Sequence, residues 1–98
     1  MKPPGNVHGM SLDQVRAEIS ELDAEIVRLF AQRQELAERV AAIKQQTGLA
    51  IHDQKRVAEV LASVSQQAGE CGIDPAAVAR IFEILIAMSE ERQRGRSP

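Results

Sequence analysis

The feature that most constrains this chain is an uninterrupted pattern of apolar residues in its first half. Residues 11–47 contain neither glycine nor proline, and the apolar positions recur three or four residues apart, with one position skipped. They are Leu12, Val15, Ile19, Leu22, Ile26, Leu29, Leu36, Val40 and Ile43. The pattern predicts one α-helix of roughly 36 residues, about 54 Å long. A chain of 98 residues cannot bury so long a helix by itself, so association with a second chain would help to cover it.

Each of three predicted helices begins with a side chain that can cap it. Ser11, Asp53 and Asp74 stand at these positions, and their oxygens can accept hydrogen bonds from the free N–H groups of a first turn. The predicted helices run over about 12–47, 54–68 and 75–93. The chain is therefore predicted to be all-α, with one long helix and two shorter ones.

The two shorter helices each have an apolar face. In the second helix this face consists of Val57, Val60, Leu61 and Val64. In the third helix it consists of Val78, Ile81, Phe82, Leu85 and Ile86. These residues are the predicted core, because few aromatic residues are present to fill it.

The length of the chain is typical of a single domain. Residues 1–10 contain two prolines and two glycines, and we expect them to form a disordered leader. Residues 11–94 form the predicted helical domain, and residues 95–98 a frayed polar tail.

Composition argues against several classes of function. A net charge of −2 with no basic cluster, and two phenylalanines without tyrosine or tryptophan, give no basis for binding nucleic acid. No apolar stretch is long enough to span a membrane. His8 and His52 are not at metal-ligand spacing, so no metal site is expected. The sequence has no phosphate-binding loop, so a nucleotide cofactor is not expected either. Cys71 is the single cysteine and is predicted to be an inert, half-buried loop residue, which favours a reducing, cytoplasmic location.

Two cations of the long helix share one face. Arg33 stands at the skipped apolar position. A cation that is buried there loses its hydration, and this loss is unfavourable unless an anion pairs with it. Lys44 lies about 20° around the helix from Arg33 and about 16 Å along it. A small carboxylate ligand could bridge the two. Alternatively, the side chains reach solvent or pair with acids of the second helix.

Polar residues also occur at two places in the shorter helices, at the end of the third helix and at the start of the second. Ser89 and Gln93 continue the apolar row of the third helix, which indicates either a pocket or fraying beyond the core. Asp53 and Arg56 open the second helix three residues apart, as a simple cap with a charge pair or as part of the same site.

Arg16 lies 17 residues before Arg33, which corresponds to about 25 Å along one helix and a rotation of about 100°. One straight helix cannot bring both arginines to one small ligand. An antiparallel second copy could place its Arg16 beside Arg33. Alternatively, Arg16 is a solvated arginine near Asp13 and Ser20.

Seven positions taken together resemble the active site of the all-helical, AroQ-type chorismate mutases. They are Arg16, Arg33, Lys44, Asp53, Arg56, Ser89 and Gln93. The likeness extends over about residues 12–93 and includes the phrases Val15-Arg16-Ala17-Glu18-Ile19 and Ala42-Ile43-Lys44. It implies an intertwined homodimer that converts chorismate to prephenate by a Claisen rearrangement, in phenylalanine and tyrosine biosynthesis, without a cofactor.

The resemblance also implies how a dicarboxylate substrate would be bound. Arg33 and Arg16 of the partner subunit would hold the side-chain carboxylate, and Arg56 would help to order these cations. Ser89 would meet the ring carboxylate.

The catalytic residues implied by the resemblance are Lys44, Gln93 and Arg33. Lys44 and Gln93 would donate hydrogen bonds to the ether oxygen, which gains negative charge as its C–O bond breaks.

One position departs from the family pattern. The residue after Arg56 is usually glutamate, which accepts a hydrogen bond from the C4 hydroxyl of the substrate, and here it is Val57. Either Asp53 alone orients this hydroxyl, or the substrate differs at C4. The alternatives are therefore a 4-amino-4-deoxychorismate mutase, an isochorismate pyruvate-lyase, or a helical dimerisation module without activity.

Overall fold

The computed structural model describes residues 9–95, and its helices confirm the all-α prediction. Helix α1 spans Leu12–Thr47, α2 spans Gln54–Glu70 and α3 spans Pro75–Gln93. No strand occurs among the described residues. Residues 1–8 of the predicted leader and residues 96–98 of the predicted tail lie outside the described residues.

The capping interactions predicted for α1 are formed. The backbone N–H of Ser11 donates to Gln14 Oε1 at 2.8 Å, and the N–H of Gln14 donates to Ser11 Oγ at 3.2 Å. This reciprocal pair satisfies two donors that a helix start leaves free. At the other end Gly48 has a φ of +72°, a conformation that glycine adopts without strain. The predicted bounds of α1 are therefore confirmed.

The other two helices begin at their predicted aspartate caps. Asp53 Oδ1 accepts a hydrogen bond from the N–H of Arg56 at 3.1 Å, and Asp74 Oδ1 accepts one from the N–H of Ala76 at 3.0 Å. Pro75 occupies the first turn of α3, where the missing N–H is no loss.

The end of α2 lies two residues beyond the predicted end. Gly69 and Glu70 remain helical, and Cys71 is the C-terminal cap. The chain turns at Gly72, whose φ is +73°, so the second glycine and not the first ends the helix. Cys71 is exposed, and the prediction that it is half-buried was wrong.

The chain divides into two units, residues 1–32 and residues 33–98. Within residues 9–32, the N-terminal unit contains the first part of α1 and no other helix. Its apolar row is exposed: Leu12, Ile19, Leu22, Ile26 and Leu29 each expose 45 to 59% of their surface. Exposed apolar surface of this extent needs a partner to cover it.

The C-terminal unit contains the packed core. Helices α2 and α3 pack against each other, and Ala37, Ala68 and Leu85 are buried. Ile81 is 50% exposed, so its predicted place in the core was wrong. Ile81 lies one turn before Leu85, and burial on α3 at that level falls on the neighbouring Phe82, which is half-buried. None of the helices described is long and apolar enough to cross a membrane.

The cap of α3 provides a test of the fold. Asp74→Ala removes the acceptor for the N–H of Ala76, and we expect the free energy of unfolding to fall by about 1 kcal/mol. Urea denaturation at fixed protein concentration measures the change. Asp74→Ser keeps a capping oxygen and should lose less than half as much. Equal losses in both variants would contradict the capping assignment.

Candidate active site

A pocket of about 330 Å³ lies within the C-terminal unit. Its walls come from residues 33–44 of α1, the α1–α2 connector, the start of α2 and the end of α3. The polar residues that line it are Arg33, Lys44, Asp53, Arg56, Ser89, Glu90 and Gln93. The apolar residues that line it are Leu36, Ala37, Val40, Ile51, Val57, Val60 and Ile86.

Six of the seven residues singled out by sequence line this one pocket. They come from positions 33 to 93, so the fold brings together residues far apart in the chain. Arg16 is not among the lining residues and belongs to the N-terminal unit. Its predicted role in a site shared between two chains stays a prediction.

Arg33 is held by hydrogen-bond acceptors of α3. Its Nη1 donates to the hydroxyl of Ser89 and to the carbonyl oxygen of Leu85, the latter at 3.2 Å. Ser89 Oγ in turn donates to the same Leu85 carbonyl at 3.0 Å. Partial burial lowers the pKa of Arg33 from its usual value, and the nearby cation of Arg56 lowers it further.

The electrostatics of Arg33 favour an anionic ligand. Among the described residues no carboxylate forms an ion pair with this guanidinium, so the alternative in which it pairs with acids of α2 is not formed. An arginine remains charged even when its pKa is lowered. A ligand carboxylate would provide the missing counter-charge and two further acceptors.

Lys44 fastens the connector to α1. Its Nζ donates to the carbonyl oxygen of Ile51 at 2.5 Å. An ammonium group has three donors, so this bond leaves two for a ligand in the pocket. Lys44 therefore neither extends freely into solvent nor pairs with an acid of α2 in the described structure.

The start of α2 contributes one carboxylate and one guanidinium. Asp53 caps the helix through Oδ1, which leaves its second oxygen as an acceptor. The Arg56 side chain is 70% exposed, and its Nη1 lies 3.9 Å from Glu59 Oε1. The cap is thus confirmed, and the pairing partner of Arg56 is Glu59 instead of Asp53.

The end of α3 is helical through Gln93 and does not fray. Ser89 is 9% exposed. Gln93 Oε1 is buried without a hydrogen-bond partner among the described residues. A buried amide oxygen without a partner is uncommon. This supports the pocket interpretation of the polar switch in α3 over the fraying interpretation.

Sequence reasoning missed Glu90 as a residue of the pocket. Its Oε2 lies 2.8 Å from Nδ1 of His52 in the connector, and its Oε1 lies 3.7 Å from Nη1 of Arg94. The available signal was its position next to Ser89 and three residues before Gln93, which places it at the flank of the same helix face. Its pairing with His52 depends on the path of the connector.

The formal charge of the pocket suits an anion. Three cations line it, together with the two carboxylates of Asp53 and Glu90. The walls therefore have one net positive charge, before any contribution from a second chain. An anion would fit this electrostatic environment better than a cation or a neutral ligand.

Comparison with known proteins identifies the class. Residues 15–94 match the family Chorismate mutase type II. The chain belongs to this family, as the resemblance of its seven polar positions had predicted.

Three curated relatives illustrate the similarity. A chorismate mutase of Methanocaldococcus jannaschii is 34% identical over 85% of this chain and 84% of its own length. The T-protein of Haemophilus influenzae is 38% identical over 64% of this chain, and a secreted chorismate mutase of Mycobacterium tuberculosis is 40% identical over 68%. The matched regions are 17% and 34% of those two longer relatives.

The bond network around Arg33 yields a testable prediction. Ser89→Ala removes a buried hydroxyl that accepts from Arg33 and donates to Leu85, and should lower the free energy of unfolding by about 1 kcal/mol. The matched control is Ser63→Ala, which removes an exposed hydroxyl contacted by Gln67 and should change stability by less than about 0.5 kcal/mol. Similar losses in urea denaturation of both variants would refute the role of Ser89 in holding Arg33.

Proposed function

We propose that this protein is a chorismate mutase that converts chorismate to prephenate in the pocket of its C-terminal unit, as a step in phenylalanine and tyrosine biosynthesis. Membership of the family supports the activity. The observation that supports the site is the convergence of Arg33, Lys44, Ser89 and Gln93 on one pocket.

The reaction is an intramolecular rearrangement in which a C–O bond breaks while a C–C bond forms. No nucleophile or general base is needed. The protein must bind a flexible dicarboxylate in its compact reactive shape and stabilise the charge that develops in the transition state. A partly buried cationic pocket can perform both tasks.

The substrate carboxylates are assigned to Arg33, Arg56 and Ser89, and among them Arg33 is the cation for which the described residues provide no ion pair. Arg33 would bind the side-chain carboxylate, since α3 already fixes the position of its guanidinium. Arg56 would add positive charge to the same wall. Ser89 would bind the ring carboxylate once its hydroxyl turns away from the Leu85 carbonyl, to which it donates in the structure.

The ether oxygen is assigned to Lys44 and Gln93. Lys44 has two free donors after its bond to Ile51. The Gln93 amide has an unsatisfied oxygen in the structure, and its NH₂ group can donate to a ligand. Donors aimed at the ether oxygen stabilise the transition state more than the ground state, because this oxygen becomes more negative as the bond breaks.

The complete site is proposed to need a second copy of the chain. A dianionic substrate exceeds the single net positive charge of the pocket walls, and Arg16 of the partner subunit would supply the missing cation. The exposed apolar row of the N-terminal unit supports dimerisation. In the proposed homodimer two long helices pair antiparallel and intertwine.

The proposed location is the cytoplasm. The single cysteine, Cys71, cannot form a disulfide within the chain and is exposed, which suits a reducing compartment. One relative is described as a secreted chorismate mutase, so the location of this protein needs its own test by fractionation.

Arg33→Leu separates an enzyme from a helical module without activity. In an enzyme, loss of this charged donor should lower kcat/KM for chorismate by about 100- to 1,000-fold while the dimer persists in size-exclusion chromatography. The control Arg39→Leu changes an exposed arginine of the same helix and should leave kcat/KM within about threefold. In a module without activity, wild-type protein would show no turnover and Arg33→Leu would raise stability.

Mixing two inactive variants tests whether Arg16 acts across the dimer. Arg16→Ala and Arg33→Ala should each be inactive alone. After they are unfolded and refolded together, about half of the dimers should be mixed, and one of the two sites in each would then be intact. Recovery of about a quarter of the wild-type activity is expected. No recovery, with mixed dimers demonstrated by mass spectrometry, would refute the shared site.

A further inference from the structure

Glu90 is an unexpected residue in a pocket for a dicarboxylate. Its carboxylate repels such a ligand, yet its side chain lies only 18% exposed among the pocket walls. His52 and Arg94 approach its two oxygens from outside the set of lining residues. A carboxylate held at this place by two partners can offset the repulsion if it accepts a hydrogen bond from the ligand.

The substrate has one polar group that is neither a carboxylate nor the ether oxygen, namely a hydroxyl group. A hydroxyl bound in a pocket needs an acceptor, and an ionised carboxylate is the strongest acceptor available from a side chain. Asp53 and Glu90 are the two carboxylates that line the pocket. Asp53 uses one oxygen to cap α2 and is exposed, whereas the Glu90 side chain is only 18% exposed. Val57, which also lines the pocket, can accept no hydrogen bond.

One oxygen of Glu90 remains available for this task. Oε2 is engaged by His52 at 2.8 Å. Oε1 lies 3.7 Å from Arg94, which is beyond hydrogen-bond distance and leaves its lone pairs free. The contact with His52 fixes the carboxylate, so Oε1 can accept from a ligand without first losing much side-chain freedom.

We propose that Glu90, supported by His52, is the residue that accepts the hydrogen bond of the substrate hydroxyl and thereby compensates for the apolar side chain of Val57. This inference rests on the proposed function, since it assumes chorismate in the pocket. It makes Glu90 a specificity-determining residue of α3, while His52 has a positioning role. It also removes the need for a substrate that differs at C4.

The first experiment compares two substrates. Glu90→Val should lower kcat/KM for chorismate by about 10- to 100-fold, as expected for the loss of a hydrogen bond to a charged group. It should leave kcat/KM for an analogue without the C4 hydroxyl within about twofold, because that substrate makes no such bond. Equal losses with both substrates would show a general structural effect and overturn the proposal.

Matched variants separate binding of the hydroxyl from support of the connector. Glu83→Gln removes an exposed carboxylate of the same helix and should have no effect. His52→Ala leaves the acceptor in place and should cost less than about threefold, since it only loosens the side chain. Should His52→Ala reduce turnover as much as Glu90→Val, the pair would serve only to hold the connector, and the proposal would be wrong.

Moving the carboxylate to position 57, which lines the same pocket, gives an independent test. Val57→Glu alone should raise kcat/KM by less than about twofold, because the acceptor is already present and a second carboxylate adds repulsion. In the Glu90→Val background the same change should recover at least about tenfold of the lost activity. A large gain from Val57→Glu alone, or no recovery in the double variant, would contradict the proposal.

The variants remain informative if Glu90→Val fails to fold. Glu90→Gln preserves the shape and a neutral acceptor, and should lose about 3- to 10-fold on chorismate with no loss on the analogue, because a neutral hydrogen bond has roughly half the strength. Wild-type protein that does not turn over chorismate would overturn the proposed function and this inference together. Turnover by wild type that is insensitive to Glu90 would overturn this inference alone.

Discussion

A guanidinium group partly removed from water has to be held by hydrogen-bond acceptors, and the acceptors for Arg33 come from α3. This contact joins the C-terminal half of α1 to the end of α3. Neutral acceptors hold the group in place without cancelling its charge. The packing of the C-terminal unit thus leaves the charge of Arg33 available in the pocket. A carboxylate of the protein paired with Arg33 would have neutralised this charge.

The short connector between α1 and α2 is organised around the same pocket. Lys44 of α1 binds the carbonyl of Ile51, Glu90 of α3 contacts His52, and Asp53 caps α2. Consecutive residues of the connector are therefore fixed by three different helices. A loop held in this way can act as a wall of a binding site, since its side chains keep their positions when a ligand enters.

Local chemistry made the helices predictable from sequence. Ser11, Asp53 and Asp74 are strong capping residues, and each one marks the start of a helix. The end of α2 was predicted two residues early because Gly69 tolerates a helical conformation and only Gly72 adopts a positive φ. Which glycine ends a helix depends on the following turn, which single-residue propensity does not describe.

The candidate site was predictable where it depends on helical periodicity. Arg33 and Lys44 share a face of α1, and Ser89 continues the buried row of α3, so their meeting in one pocket follows from how these faces pack. Glu90 was missed because its importance depends on the approach of His52 from a connector without regular structure. The proposed role of Arg16 depends on contact between two chains. The sequence of one chain shows only that Arg16 is too far along the helix from Arg33 to contact the same ligand.

The most direct measurement of the central claim is product identification by NMR with the purified protein. Chorismate, isochorismate and 4-amino-4-deoxychorismate would be incubated in parallel, each with a sample lacking protein to measure the spontaneous reaction. We expect chorismate to be converted to prephenate far faster than in the sample without protein, and isochorismate to release no additional pyruvate. Unchanged chorismate, or pyruvate released from isochorismate, would contradict this expectation.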